Sequence, residues 1–381
     1  MIEEWYAGRE QTFLKHFVLS RYLQVVAIKI GMTYREFVYV DGFSGPWEAK
    51  SPELKDTSFM IALGILSDVR EIVGSRQRSC KIRCMFIEKD PEAFARLQSA
   101  VASTPRITIE ARQGEFENLV PQIVDFVGKS FGFVFIDPTS WQGIGLKRIS
   151  PILKSRGEVL INFMYDFIQR FLEIDNTRIS QQMNELMGGE EWQDEYISLR
   201  ESGWKREDAI VEVYRARVKR IGNFKYVSCI RVMKPHSDRS YFYLVYGTNE
   251  LAGIKEFSNV EKKFVTEQQV TRTKAKDKRK EGILQMGQLF PANELPPDRS
   301  WHQEDRALAL AFAEAEIPRL LKNIGEMTFG ELLGNLIERS FIWESDVKRI
   351  VRDLKVSGCI QIFGMNPGQR VPVPSNRIRW I

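Results

Sequence analysis

The sequence predicts a doubly wound α/β fold that is followed by a smaller C-terminal domain. Short apolar strands and amphipathic helices alternate five times between residues 10 and 163. The strands are mostly apolar, which suits burial on both faces and favours a parallel sheet with right-handed crossovers. The first strand ends on Asp41 and passes directly into a glycine-rich turn, as in folds that bind a nucleoside at the carboxyl end of the first strand.

The elements of this first region follow one another in a regular order. Gly31 is placed to stop the first helix, and Pro91 starts the third. Two β-rich segments, 226–233 and 241–247, predict an antiparallel pair at the sheet edge. The predicted strands cover residues 37–41, 83–88, 106–111, 133–136 and 158–163. The predicted helices cover residues 11–30, 57–74, 119–127, 144–153 and 165–220, with one more from Asp90-Pro91.

The C-terminal part has a pattern of its own. Residues 271–281 carry six basic residues, and the chain is then Gly/Pro-punctuated to about 298. We therefore predict an α/β domain over 1–270, a linker or insertion over 271–299 and a second domain over 300–381. In that domain, predicted helices and then a hairpin give the order of a winged helix, a relative of the helix-turn-helix. The helices cover 306–314, 318–324, 329–338 (capped by Thr328) and 344–356, and the hairpin joins 359–363 to 370–373, with 377–381 adding to it.

The amino-acid composition limits the classes of protein to which this chain can belong. The chain has 381 residues, of which 43% are hydrophobic and 28% charged, so it can bury a large core and is not disordered. A net charge of +5 is compatible with a nucleic-acid partner without requiring one. Four cysteines and three histidines show no zinc-site spacing, so we expect no metal and free thiols. No apolar run has membrane-spanning length, and we expect a cytoplasmic protein without membrane contact.

Residues at the first two strand ends predict a nucleoside site. Gly42 and Gly45 let the backbone of the turn approach a ligand closely, and Phe43 lies between them. Glu88 ends the second strand, and its two carboxylate oxygens suit the two hydroxyls of a ribose. Asp41 suits polar contacts to the same ligand. The alternative interpretation is that both acids cap the helices that follow them. The turn lacks the Gly-x-Gly-x-x-Gly spacing of dinucleotide-binding folds.

The third and fourth strand ends predict the base contacts and the reacting group. Glu115 would read an adenine edge with Phe116 packed on the ring, or else lie in a surface loop. Asp137 ends the fourth strand, and its carboxylate can accept a hydrogen bond from a substrate amine. Pro138 makes the turn rigid, and Trp141 can stack on a flat base. The alternative is a tight turn with Trp141 in the core.

Basic residues in the second domain predict contacts with nucleic-acid phosphates. Lys348, Arg349 and Arg352 belong to the last predicted helix, and Arg370 belongs to the wing region. Asp353 shares that helix, so a solvated charged face is equally compatible with the pattern.

Five segments of the chain carry a family resemblance: 15–23, 40–46, 135–138, 159–163 and 243–249. They resemble class I S-adenosylmethionine-dependent methyltransferases and, more narrowly, the three-Cys-motif partner protein family (TcmP). The likeness runs over roughly residues 10–265, and that family often ends in a small winged helix. It implies a methyltransferase-like fold with S-adenosylmethionine as cofactor, and Asp41, Gly45 and Glu88 as cofactor contacts.

Three functional hypotheses follow. The first is an S-adenosylmethionine-dependent methyltransferase that acts on a base nitrogen of DNA or RNA by in-line transfer, where positioning supplies most of the rate. The second is a catalytically weak methyltransferase-like binding module, which works with a partner protein in a phage-defence or mobile-element system. It is favoured by two departures: Trp47 replaces the last glycine of the family's Gly-Pro-Gly, and Thr139 follows Asp137-Pro138 where amino-group methyltransferases have a second proline. The third is a nucleotide-dependent regulator that acts through its winged helix.

Overall fold

The computed structural model describes residues 4–45, 49–51, 53–102, 107–140, 143–172, 177–285 and 301–381. The chain forms two compact units, Met1–Asn249 and Glu250–Ile381. This division precedes the predicted boundary at residue 270. The predicted linker over 271–299 begins inside a helix, Leu251–Gln285, because the basic run continues the helical segment before it.

A seven-stranded sheet forms the centre of the first unit within the described ranges. Its order is β3-β2-β1-β4-β5-β7-β6, in which the first five strands are parallel and β7 runs antiparallel to both neighbours. The α/β prediction and the antiparallel edge pair are thus confirmed, and the sheet is consistent with a Rossmann-like methyltransferase fold. The strands are β1 (Glu36–Asp41), β2 (Lys81–Glu88), β3 (Thr108–Gln113), β4 (Phe131–Ile136), β5 (Gly157–Phe163), β6 (Tyr226–Met233) and β7 (Ser240–Thr248).

The strand order reverses at β1, and this reversal positions the candidate site. The chain goes from β1 outward to β2 and β3 on one side, and then returns to place β4 on the other side of β1. In open α/β sheets, the crevice beyond the carboxyl ends of the strands at such a point is where ligands bind. All six residues of β4 are buried, and so are the last five of β1, which explains their continuous apolar runs.

The helices of the first unit agree with the predicted ones except at Gly31 and over 165–220. The described part of that segment forms four separate helices in place of one, and positive φ angles at Gly188, Gly189 and Gly203 accompany two of the breaks. The first helix continues past Gly31 to Thr33. A Cβ on Gly31 would lie 2.9 Å from Cγ2 of Val73 on the second helix. The glycine therefore permits close packing of two helices and does not end the first one. The helices are α1 (Glu10–Thr33), α2 (Ser58–Ser75), α3 (Pro91–Val101), α4 (Val120–Val127), α5 (Leu146–Leu153), α6 (Tyr165–Ile168), α7 (Thr177–Met187), α8 (Trp192–Glu201) and α9 (Arg206–Gly222).

The second unit combines helices with a small antiparallel sheet of order β8-β10-β9. The predicted capping box is present, since the Thr328 hydroxyl accepts from the Glu331 amide and the Glu331 carboxylate accepts from the Thr328 amide. The elements are α10 (Leu251–Gln285), α11 (Trp301–Ile324), β8 (Glu326–Thr328), α12 (Phe329–Ile337), α13 (Glu344–Val356), β9 (Ile360–Phe363) and β10 (Arg377–Trp380).

Two predictions for the second unit are wrong. The segments 306–314 and 318–324 belong to one helix, α11, which continues through Pro318. The partner of β9 is β10 and not 370–373. The reason for the second error is Asn376, whose side chain accepts from the Val373 amide at 2.7 Å and donates to the Gly364 carbonyl at 2.6 Å. These bonds close residues 364–376 into a loop, so the returning strand starts only at residue 377.

Across the part of the chain that the structure describes, no helix is long and apolar enough to cross a membrane.

Candidate active site

A cavity of about 300 Å³, here termed the first cavity, lies beyond the carboxyl ends of β1 and β2. It brings together five residues that the sequence predicts for one site: Gly42, Phe43, Glu88, Glu115 and Pro138. Glu88 is the last residue of β2, and the others come from the segments that follow β1, β3 and β4, so the parallel sheet gathers them at one edge.

The turn after β1 is fixed to both neighbouring strands. The Gly42 amide donates to the Phe135 carbonyl at 2.9 Å, and the Ser44 amide donates to the Ile87 carbonyl at 2.8 Å. Gly42 has no space for a side chain, because a Cβ there would lie 2.6 Å from Cε2 of Phe116. The Phe116 ring is buried and lies 5.2 Å from the ring of Phe43. An aromatic wall is therefore packed directly on the glycine backbone.

Glu88 and Glu115 face the first cavity in different environments. Glu88 is buried, and its Oε1 accepts from the Asp90 amide at 2.7 Å. Asp90 itself caps α3 by accepting from the Glu92 and Ala93 amides, so the helix cap is Asp90 and not Glu88. Glu115 is exposed, and its Oε2 accepts from the Asn118 side chain at 3.2 Å. The buried carboxylate is the one that the fold holds in place.

Asp41 lies beneath the turn and does not line either of the two cavities described here. Its Oδ1 accepts from the Phe43 amide at 3.1 Å, while its buried Oδ2 has no hydrogen-bond partner among the described residues. Burial raises the pKa of Asp41 to about 6, although the nearby Ser58 hydroxyl and the Phe43 amide oppose that rise. Asp41 thus acts on the site through the turn that it holds.

A second cavity, of about 290 Å³, adjoins the first one. The two share Phe43, Pro138 and Thr139, so the turn after β4 separates them. The predicted residues Gly45 and Asp137 line the second cavity. The remaining lining residues come from distant parts of the chain, among them Arg9, Lys15, His16, Asp56, Asn162 and Tyr241.

Both carboxylate oxygens of Asp137 are engaged. Oδ1 accepts from Nδ2 of Asn162 at 2.8 Å, and Oδ2 forms an ion pair with the Lys15 ammonium. Asn162 is buried, and its Oδ1 has no hydrogen-bond partner among the described residues. The side chains of Lys15 and Asp137 are only 15% and 12% exposed, so the pair is largely shielded from solvent. The sequence prediction assigned Asp137 to a substrate amine, whereas in the structure Lys15 holds that carboxylate.

A second ion pair fixes the beginning of α1 to the loop before α2. Arg9 Nη2 lies 2.7 Å from Oδ2 of Asp56, and both side chains are buried. Asp56 also accepts from the backbone amides of Lys50 and Ser51, at 2.8 and 3.2 Å. Because Arg9, Lys15 and Asp56 all line the second cavity, charge pairing shapes this side of the site.

Sequence reasoning did not assign Lys15, His16 or Asn162 to the site. Lys15 lies on a helix whose apolar periodicity predicts only the face that packs on the core. Asn162 interrupts an otherwise apolar strand. A polar residue near the carboxyl end of a buried strand is a usable signal, because its side chain needs a partner there. Two predicted residues cannot be placed: Trp141, and Trp47 in the turn after β1, lie outside the described residues.

The predicted phosphate-binding residues lie in the second unit, and three of them have acidic partners. Lys348 pairs with Glu344 at 2.8 Å, and Arg349 pairs with Glu314 at 2.9 Å. Arg352 lies 3.4 Å from Asp353 on the same helix, whereas Arg370 is exposed in the loop that precedes β10. In the described residues, no group of three or more His, Cys, Asp or Glu side chains could hold a metal ion.

No protein-family model matches this chain, and no curated protein matches it. The solved structures that match this chain include two with a distant likeness. A Legionella pneumophila protein of the DUF519 family is 12% identical, with a TM-score of 0.37, and the match covers 66% of this chain and 90% of that one. A loganic acid methyltransferase with SAH is 8% identical, with a TM-score of 0.30, and the match covers 73% of this chain and 91% of that one. Both TM-scores are below 0.5, so neither likeness assigns a function.

Proposed function

We propose that this chain is an S-adenosylmethionine-dependent methyltransferase that acts on a base nitrogen of nucleic acid. The observation that carries the proposal is the pair of adjoining cavities at the point where the strand order reverses. One cavity has a buried carboxylate and an aromatic wall, and the other has an ion-paired carboxylate at the end of β4. Two ligands would meet across the turn that contains Pro138, as methyl transfer requires of a donor and an acceptor.

The first cavity fits a nucleoside-containing cofactor. Glu88 would accept hydrogen bonds from the ribose hydroxyls, and Phe116 would pack on the adenine, with Glu115 at the ring edge. The backbone of Gly42 would lie against the rest of the cofactor, and the Phe116 ring leaves no room for a side chain at that residue. Gly45, which lines the adjoining second cavity, would approach the cofactor from that side. Bound S-adenosylmethionine supplies an activated methyl group that departs from a sulfonium. The chain's own contribution is then to orient the acceptor nitrogen in line with that group.

The second cavity would hold the acceptor. Lys15 and Asn162 hold the Asp137 carboxylate at a fixed position, so its oxygens would lie at a defined place beside the reacting nitrogen. The aromatic rings of Phe43 and Tyr241 line the same cavity and offer faces on which a base removed from its stack can lie.

We extend the proposal to the second unit, which we interpret as a winged helix that binds nucleic acid. The support is its order of elements: helix α11, strand β8, helices α12 and α13, then strands β9 and β10. Lys348, Arg349, Arg352 and Arg370 would contact phosphates. We also propose membership of the TcmP family, which rests on the motifs in the sequence.

A second candidate function is a methyltransferase-like binding module that works with a partner protein in a phage-defence system. One observation favours it: both oxygens of Asp137 are engaged, by Lys15 and by Asn162. A substrate amine would have to share or replace one of these contacts. If it does not, the fold can bind the cofactor without transferring its methyl group.

The first experiment is calorimetric titration of the full chain with S-adenosylmethionine and S-adenosylhomocysteine. Glu88→Ala is the test variant, and Glu71→Ala, which removes an exposed glutamate of α2, is the matched control. We expect micromolar binding that Glu88→Ala abolishes and Glu71→Ala retains. Equal affinity in all three proteins would contradict the ribose assignment, and no binding to the folded wild type would contradict the function.

The second experiment separates the two candidate functions. Radiolabelled S-adenosylmethionine is incubated with the full chain and with total RNA or genomic DNA. Label incorporated into either nucleic acid, and lost in Asp137→Ala while cofactor binding is kept, supports the enzyme. Cofactor binding with no transfer to either nucleic acid supports the binding module.

A further inference from the structure

His16 separates the second cavity from a surface groove. Its imidazole lines the second cavity and also an open groove of about 380 Å³ between α1 and α2. The side chain is buried and thus forms part of the wall between them. Tyr6 lines the groove but not the second cavity. One side of the wall faces the place proposed for the acceptor, and the other side faces the surface of the unit.

The hydrogen bonding of His16 leaves one ring nitrogen available. Nδ1 lies 2.9 Å from the Tyr6 hydroxyl, and the two rings meet edge to face with centroids 5.8 Å apart. Within the part of the chain that the structure describes, the His16 side chain makes this one hydrogen bond, and Nε2 has no hydrogen-bond partner. In the tautomer whose Nδ1–H points at the Tyr6 oxygen, Nε2 carries a lone pair.

The surroundings keep this imidazole neutral. Burial lowers the pKa of His16 well below its usual value of 6.5, and the cations of Lys15 and Arg9 lower it further. A neutral imidazole at neutral pH is able to accept a proton. The other charged groups lining the two cavities are Asp56 and Asp137 on the side of the second cavity, and Arg21 and Lys55 on the side of the groove.

The other candidate bases of the second cavity are already engaged. Asp137 is held by Asn162 and Lys15, and the Lys15 ammonium has no lone pair while it is ion-paired. Asp56 accepts from Arg9 and from two backbone amides. Of the described residues that line this cavity, His16 is therefore the one that combines a basic atom with a vacant hydrogen-bonding position.

We propose that His16 is the base that removes the proton from the methylated nitrogen and passes it to the groove through Tyr6. This inference rests on the proposed function. The acceptor lone pair forms the N–C bond, while the C–S bond breaks and its electrons remain on sulfur as a neutral thioether. The methylated nitrogen is then cationic and carries N–H. Nε2 of His16 takes that proton, and the N–H electrons return to the nitrogen. The imidazolium releases its Nδ1 proton toward the Tyr6 oxygen and the water of the groove.

The test measures methyl transfer to RNA or DNA by the full chain and by three variants. His16→Ala removes the base, His16→Gln keeps a hydrogen-bonding side chain of similar size, and His236→Ala replaces an exposed histidine as the control. We expect the first two to lose roughly 100-fold or more in turnover and the third to keep the wild-type rate. Binding of S-adenosylhomocysteine should be unchanged in all three, which also verifies that they fold.

Added imidazole distinguishes a base from a merely structural residue. In His16→Ala, imidazole entering from the groove should restore part of the rate, and more of it as the pH rises through ~6.5. A wild-type rate in His16→Gln, or a loss in His16→Ala that imidazole does not restore, would overturn the inference. Active wild type with active His16 variants contradicts this inference alone, whereas a wild type that transfers no methyl group contradicts the proposed function.

Discussion

The first cavity and the second cavity differ in which parts of the chain build them. The first is made from the carboxyl end of strand β2 and the segments that directly follow strands β1 to β4, and it combines aromatic rings and glycine backbone with the carboxylates of Glu88 and Glu115. The second gathers side chains from Arg9 to Phe242, and its walls are held by ion pairs. One side of the site is thus built by local rules of the α/β fold, and the other by contacts between residues far apart in sequence.

This difference determines how each cavity should respond to change. Packing in the first cavity depends on volume, so an added methyl group should disturb it at any pH. Charge pairs in the second cavity depend on partners, so removing one group leaves another charge buried. Substitutions that alter volume should therefore mainly disturb the first cavity, and substitutions that alter charge should mainly disturb the second.

Breaking the Lys15–Asp137 ion pair in the second cavity should have the largest effect on stability. Asp137→Ala leaves the Lys15 ammonium and the Asn162 amide without their partner in a shielded position. We expect a loss of about 3 kcal/mol in the free energy of unfolding, measured by urea denaturation. Lys15→Met combined with Asp137→Leu should recover most of that loss, because no charge is then left unpaired. A cost below about 0.5 kcal/mol for Asp137→Ala would show that the pair does not hold this cavity.

Asp41→Asn tests the buried carboxyl group that lies beneath the turn after β1, through its effect on the free energy of unfolding. The folded pKa of about 6 lies above the ordinary 3.8, so the native state favours the protonated acid. The contribution of Asp41 to stability is therefore fully present below its ordinary pKa of 3.8 and is lost as the pH rises through about 6. Asparagine cannot ionise and still accepts from the Phe43 amide. The variant should gain about 3 kcal/mol over the wild type at pH 8 and almost nothing near pH 4. A difference independent of pH would contradict this assignment.

The same contrast explains what the sequence could predict. Asp41, Glu88 and Asp137 are recognisable because each acid ends a buried strand, and parallel strands bring such ends to one edge. The Thr328 capping box is equally local, since its two members are three residues apart. For such features the spacing itself carries the information.

The sequence did not predict which residues meet when they lie far apart in the chain. Nothing near Lys15 in the chain indicates that its ammonium meets Asp137, 122 residues later, and nothing near Asn376 indicates that it closes the loop before β10. Gly31 illustrates the same limit: helix-stop rules apply to it, but its packing against Val73 decides its role. Fold class and strand ends were therefore predictable, while the charge pairs of the second cavity were not.

Gly42→Ala tests the volume dependence of the first cavity. The new Cβ would lie 2.6 Å from the buried Phe116 ring, which has to move and carry the cavity wall with it. We expect a loss of about 2 kcal/mol at every pH, together with weaker binding of S-adenosylhomocysteine by calorimetry. Gly64→Ala is the control, because its Cβ meets nothing within 4 Å inside helix α2, and it should gain about 1 kcal/mol. Equal effects of the two substitutions would contradict the packing argument.

Of these substitutions, Arg349→Ala should have the smallest effect on stability. Arg349 and Glu314 are 41% and 52% exposed, so water already solvates both charges. We expect a cost below about 1 kcal/mol in the free energy of unfolding, which disappears in high salt. The Lys15–Asp137 pair of the second cavity should cost more to break, because its side chains are only 15% and 12% exposed. If Arg349 contacts a phosphate as proposed, the same variant also lowers the slope of log affinity against log salt by about 1 for RNA or DNA. An unchanged slope would mean that this helix presents a solvated face, and that nucleic acid is bound elsewhere or not at all.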